Sequence, residues 1–324
     1  MFAKNIIGTA NGLVAGWGRV GGCFIQRFMG NILLPAFVEL FRSKNSDNPY
    51  EQSWRTVSTI PAAVAILSGI IIYFITDDTP KGNYAELKRH NGTMNRIPIL
   101  SYVYQAIAQW KTLVATWVLF IEFACCYGVD LTMSSAAALY FAENFGIGFE
   151  AAAALAGDLC YMPLLGPLLG GIISDLANVK FGMRGRILSQ VTLLLITGVL
   201  VLAFPATKTL GSARAVFILV LLFSQAAQGS TFAIVPYVCL PATGWVMGIV
   251  GAGGNLGVVC FAVAFRELEA INDAWTLMGS FTIVSSALSA IICIRGYAGL
   301  FCGNDATQED GRAGNDIDGE EINA

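Results

Sequence analysis

Residues 57–76 read VSTIPAAVAILSGIIIYFIT, twenty consecutive positions without a charged side chain. A helix needs roughly 20 apolar residues to cross the hydrocarbon core of a bilayer, so a run of this length and purity predicts a membrane span. Seven further apolar runs lie at about 6–38, 112–141, 149–173, 187–206, 215–235, 243–265 and 275–294. They are continuous rather than alternating, which predicts helices and not a barrel. Composition agrees. Of 324 residues, 55% are hydrophobic and only 13% charged, with a mean hydropathy of +0.63. An average soluble domain carries about 25% charged residues. The expectation is an all-α polytopic membrane protein with about eight transmembrane helices. The first and third runs exceed what a bilayer requires, which predicts tilt or extension beyond it.

Other classes fall away. A net charge of −3, from 19 basic and 22 acidic residues, offers no basic surface for nucleic acid. The eight Cys, at 23, 125, 126, 160, 239, 260, 293 and 302, form no CxxC pair, and His90 is the only histidine. Neither a zinc site nor a disulfide framework is expected, and the cysteines read as small packing residues. The sequence offers no nucleophile–base pair and no cofactor loop, so neither an enzyme nor a cofactor is expected. Met1 to Asn5 run directly into a Gly-rich apolar stretch with no A-x-A site, which argues against a cleaved signal peptide.

Eight spans put both termini and the long polar loop 77–111 on one side. That side holds Lys4, Lys81, Lys88, Arg89, Arg96, Lys111, Lys180, Arg184, Arg186, Arg295 and Arg312, eleven basic residues. The other side holds Arg42, Lys44, Arg55, Lys208, Arg214 and Arg266, six. The positive-inside rule makes the first side cytoplasmic. The expected organisation is a helical segment over 1–76, the loop, a second helical region over 112–300, and a tail over 301–324. From Gly303 that tail reads GNDATQEDGRAGNDIDGEEINA, acidic and solvated in composition.

Two Gly-rich stretches lie inside apolar runs: Ala15-Gly16-Trp17-Gly18-Arg19-Val20-Gly21-Gly22 and Gly251-Ala252-Gly253-Gly254-Asn255-Leu256-Gly257. Laying Gly16 on Ala252 places Gly18 on Gly254, Arg19 on Asn255 and Gly21 on Gly257. Gly in a membrane helix permits close helix approach or a ligand against bare backbone. Repeated halves are how many transporters build a site at the midplane.

These stretches, with the loop DDTPKGNYAEL, the segment KFGMRGR and TFAIVPYV, resemble the high-affinity nitrate/nitrite porters of the major facilitator superfamily. The resemblance covers roughly residues 1–300. It implies a facilitator-type helical bundle, transport of nitrate or nitrite for nitrate assimilation, and a plasma-membrane location. Protons and the bilayer are implied partners; an accessory subunit stays open. Gly16, Gly18, Arg19, Gly21, Gly253, Gly254, Asn255 and Tyr127 become the candidate substrate-binding residues. Gly171, Asp175, Arg184 and Arg186 resemble the superfamily's cytoplasmic loop motif. In the family's register the eight runs match helices five to twelve of twelve. This implies a fragment or shortened paralogue that does not transport by itself. The rival expectation is a degenerate paralogue acting as an interaction partner.

The chain departs from the family at two informative places. Arg19 stands where the first family signature has Asn, and Pro167 stands where a substrate-binding Arg is implied. Arg19 could therefore supply the cation for a planar oxyanion, for which a guanidinium is a matching donor fork. It would then face the cavity near Asn255. Alternatively, Arg19 pairs with Asp158 or Glu122 to hold helices together. Arg27 reads as snorkelling to the outer interface. Asp130, in Tyr127-Gly-Val-Asp-Leu, resembles a family Gly-Val-Glu-Leu run near the outer end of its helix, which implies either a functional carboxylate or a hydrated helix-end one. Tyr127 either stacks on a bound anion or packs. Bringing an anion into a negative-inside cell costs about 2.3 kcal/mol per 100 mV, so accumulation requires coupling, here to protons.

Overall fold

The computed structural model describes residues 6–44, 48–76, 109–148, 151–152, 155, 162–240, 242–268, 270–294, 296–297 and 299–301. Most of the central loop, the acidic tail and Asp158 lie outside the described residues. The described elements are helical. They are α1 (Ile7–Phe28), a π-helical turn (Met29–Leu33), α2 (Leu34–Ser43), α3 (Pro49–Ile75), α4 (Trp110–Phe145) and α5 (Met162–Phe181). There follow α6 (Met183–Ala203), a 3-10 turn (Phe204–Ala206), α7 (Leu210–Val238), α8 (Thr243–Glu267), α9 (Ile271–Leu288) and a second 3-10 turn (Ser289–Ile291).

Seven of these segments are long and apolar enough to cross a membrane, where eight were expected. The protein is a multi-pass membrane protein. The run that falls short is α1. Its 22 residues include six glycines, Asn11, Gln26, Arg19 and Arg27, so it has the length but not the apolar bulk. Where a run was expected at 149–173, the described helix Met162–Phe181 continues past the expected end.

The chain divides into two compact units, Met1–Val20 with Ile99–Ala324, and Gly21–Pro98. In the smaller unit α2 packs on α3. Of α3 only Ser53 and Val57 are buried, and its C-terminal half exposes Ile, Val, Tyr and Phe. Such an apolar helical face suits lipid.

The larger unit is built on three close helix pairs: α4 with α8, α5 with α7, and α6 with α9. Glycine makes each approach possible. A Cβ on Gly257 would fall 2.0 Å from the carbonyl oxygen of Ala124, and one on Gly229 would fall 2.1 Å from that of Pro167. In the third pair Gly198 and Gly279 face each other's backbone, with a Cβ on either falling 3.0 Å from the other's carbonyl oxygen. Without a hydrophobic driving force between helices in lipid, this contact and its dispersion energy hold the bundle.

Two apolar clusters fill the larger unit. One gathers Leu119, Phe123, Ile187, Leu194, Ile234 and Val250; the other gathers Val129, Met133, Phe141, Phe204, Phe217 and Trp275. They meet near residues 126–129 of α4. Polar residues collect at that junction.

Candidate functional site

Asp130 stands about midway along the 36-residue α4. Its side chain is only 2% exposed. This corrects the helix-end carboxylate that the family resemblance implied: Asp130 is central in α4 and buried against other helices. A buried carboxylate must be neutralised and hydrogen-bonded, and Asp130 is. Arg19 Nη2 donates to its Oδ2 at 2.5 Å. Gln225 Nε2 donates to Oδ1 at 3.0 Å, and Gln228 Nε2 to Oδ2 at 3.2 Å. Arg19 Nη1 in turn donates to Gln228 Oε1 at 2.7 Å.

The guanidinium carbon lies 5.2 Å from the Tyr127 ring centroid, a cation–π distance. Tyr127 stacks on Phe123 at 5.5 Å, and Phe123 meets Phe232 edge-on at 5.0 Å. One side of the site is therefore a wall of aromatic faces, and the other a carboxylate with two glutamines. The Arg19 side chain remains 25% exposed. A guanidinium carries five N–H donors, and the ion pair and Gln228 engage two of them. The arrangement can present a planar donor fork to a small oxyanion.

Sequence reasoning offered Asp158 or Glu122 as the ion-pair partner of Arg19; among the described residues its partners are Asp130 and Gln228. Asp130 takes the role offered to Glu122, which instead accepts from Ser289 Oγ at 2.5 Å. Asn255 is exposed and donates to Gly251 O on its own helix at 3.5 Å, with no bond to Arg19. The side chain of Arg27 lies outside the described residues.

The two Gly-rich stretches behave differently. In the second, Gly253 and Gly254 press on Phe120, Phe123 and Tyr127, with Cβ distances of 2.5–3.0 Å. They pack α8 on α4 rather than open a space for ligand. In the first, Gly16 also packs, its Cβ position lying 2.7 Å from Pro163 O, while Gly18 and Gly21 meet nothing within 4 Å among the described residues. Pro167 is buried in α5, and its carbonyl is the close neighbour of Gly12 and Gly229.

The loop motif assembles around Asp175. Its carboxylate accepts from the backbone N–H of Gly8 at 3.1 Å and of Thr9 at 2.7 Å, and from Thr9 Oγ1 at 2.8 Å. These are first-turn donors of α1, which have no partner within the helix. Arg186 Nη2 lies 2.8 Å from the same carboxylate and is fully buried, with its guanidinium over the Tyr237 ring. Gly171 lets the α1 backbone approach, its Cβ position being 2.2 Å from Gly8 O. Arg184 is exposed at the start of α6.

No family model matches the sequence. Comparison with curated proteins is decisive. The chain is 29% identical over 315 residues to the high affinity nitrate transporter 2.5 of Arabidopsis thaliana, covering 96% of this chain and 60% of that protein. Over most of its length the chain is similar to high-affinity nitrate transporters. It is also 30% identical over 260 residues to the high-affinity nitrate transporter 2.3 of Oryza sativa subsp. japonica, covering 80% of this chain and 48% of that one. Similarity extends to the bacterial nitrate/nitrite transporter NrtP of Nostoc punctiforme, at 24% over 356 residues, 90% of this chain and 67% of the relative. The chain thus spans about 60% of the length of the first of these porters.

Gln225 and Gln228 were not singled out in the sequence. The available signal was Ser-Gln-Ala-Ala-Gln-Gly-Ser-Thr, residues 224–231, a polar cluster inside an apolar run. Polar groups within a span are costly and mark function or pairing.

Proposed function

We propose that this chain moves nitrate or nitrite across a membrane, coupled to protons, with Arg19 as the cation that receives the anion. The observation that carries the reading is the half-buried guanidinium near the middle of α1, backed by Asp130 and Gln228 and lying against Tyr127. Its chemistry suits a planar oxyanion, since two parallel N–H groups can meet two oxygens. The names of the relatives supply the substrate class. Asp130 holds the fork in one orientation and balances its charge while the site is empty. An incoming anion competes with that carboxylate, so the site binds reversibly rather than trapping its cargo. The protein would act in nitrate assimilation at the plasma membrane, with the 180–184 connection on the cytoplasmic side. Nitrate accumulation against a negative-inside potential needs more than one proton per anion.

The test is nitrate uptake in a host lacking it, with the 324-residue chain expressed alone and joined behind the N-terminal part of the Arabidopsis relative. Uptake stimulated by external acid in either form supports the reading. Absence of uptake in both, with the protein present in the membrane, overturns it in favour of a non-transporting relative.

A further inference from the structure

Glu122 lies in α4 two helical turns before Asp130, is fully buried, and pairs with no cation among the described residues. An ionised carboxylate in such a place is costly unless it is paired. The groups around it are Ser289 from the second 3-10 turn, Gln190 from α6, Ser285 from α9 beside Cys125, and the thiols of Cys125 and Cys126 on α4. Arg186, one turn before Gln190 on α6, is engaged by Asp175.

The hydrogen bonds fix what each group can offer. Thr231 Oγ1 gives its single hydrogen to Ala227 O at 2.9 Å, so toward Gln190 it can only accept. Gln190 Nε2 therefore donates to it, at 2.8 Å, which leaves the carbonyl Oε1 as the other end of that amide. Ser289 Oγ gives its hydrogen to Glu122 Oε1. Two buried acceptors remain without a donor, Glu122 Oε2 and Gln190 Oε1. They belong to neighbouring side chains. A fully buried carboxylate oxygen with no donor is costly in a dry interior, and a proton on it removes both the charge and the unmet acceptor.

We propose that Glu122 is a proton-binding site, its carboxyl carrying a dissociable proton on the otherwise unpartnered Oε2. The step is the addition of one proton to a carboxylate oxygen, with no other bond made or broken. Resting on the transport reading above, this proton is one that travels with the anion. Glu122 joins α4 to α6 and to the turn after α9, so releasing the proton leaves an uncompensated charge that loosens those helices. Protonation then favours the packed arrangement.

The experiment is infrared spectroscopy of the purified 324-residue chain, following the carbonyl band of protonated carboxyl groups at neutral pH. The band should be present, and lost in Glu122→Gln. Ser289→Ala and Gln190→Leu, which keep the carboxyl, should each shift it, and these two serve if Glu122→Gln does not fold. A spectrum without a Glu122-dependent band at neutral pH, or a band indifferent to both neighbours, overturns the proposal. In whichever form moves nitrate, the ratio of uptake with and without an inward proton gradient should fall to one in Glu122→Gln. A ratio equal to the unsubstituted protein's overturns the coupling role. If no form moves nitrate, the transport reading fails and takes the coupling with it, while the infrared band still decides the proton.

Discussion

Arg19 Nη2 and Asp130 Oδ2 sit 2.5 Å apart across 111 residues of sequence, near the middle of α1 and α4. The pair ties the glycine-rich helix to the centre of the larger unit, and both members answer to Gln228. Removing one partner of a buried pair costs about 3–5 kcal/mol, and less where a partner is partly solvated, as Arg19 is. We therefore expect Asp130→Asn to lower thermal stability in detergent. Arg19→Gln combined with Asp130→Asn should be less destabilised than the sum of the two single variants, which a double-mutant cycle of melting temperatures will show. Strict additivity would mean the two side chains do not interact.

Asp175 joins three elements through one carboxylate: the first turn of α1, α5 and Arg186 of α6. Asp175→Ala strips two backbone N–H groups of an acceptor and leaves Arg186 without its counter-charge in the interior. The expected loss is about 3–5 kcal/mol. Limited proteolysis should show cleavage near residues 6–12 sooner than in the unsubstituted protein. Unchanged cleavage there would mean that α1 is held by its glycine contacts alone.

The glycines separate into packed and open positions. A methyl group on Gly170 would come 1.8 Å from Ala226 O, backbone that cannot swing aside, whereas one on Gly18 would meet nothing among the described residues. Gly170→Ala should cost about 1–3 kcal/mol or more, the usual range for overpacking. Gly18→Ala should leave stability unchanged or slightly improved. Thermal unfolding of the two purified variants checks this, and equal melting points would contradict it.

Because Asp175 near the end of α5 caps the start of α1, the α1 N-terminus and the 180–184 connection share a side. Lys180 and Lys208 are exposed near opposite ends of α6. With native cysteines removed, Lys208→Cys should react with an impermeant thiol reagent on intact cells, and Lys180→Cys only after permeabilisation. The reverse pattern would invert the orientation drawn from the basic residues.

The spans were legible because an apolar run of fixed length carries its own instruction, and α3 to α9 follow it. α1 was harder to read, since glycine contributes helix contact without hydropathy. The two Gly-rich stretches were visible, but the roles of their members were not. Whether Gly18 is open and Gly254 filled depends on which helix lies opposite, and that partner is far away in sequence. The same distance hid the Arg19–Asp130 pair. The candidates offered for Arg19 were Asp158 and Glu122, and Asp130 was set aside because the resemblance put it near the outer end of its helix, whereas it is central in α4. Gln225 and Gln228 escaped notice because amides carry no charge to mark them. Asp175 and Arg186 were found because their motif keeps them near in sequence.

The central claim is that Arg19 receives the anion, and nitrate binding to the purified chain tests it most directly. Titration calorimetry at constant ionic strength, with chloride as the control anion, should show saturable nitrate binding. A hydrogen bond to a charged group contributes about 1.5–3 kcal/mol, so Arg19→Gln should weaken binding about tenfold or more. Arg19→Lys, which keeps the charge and loses the fork, should fall between the two. If Arg19→Gln binds nitrate as tightly as the unsubstituted chain, Arg19 is a structural partner of Asp130 and the anion site lies elsewhere.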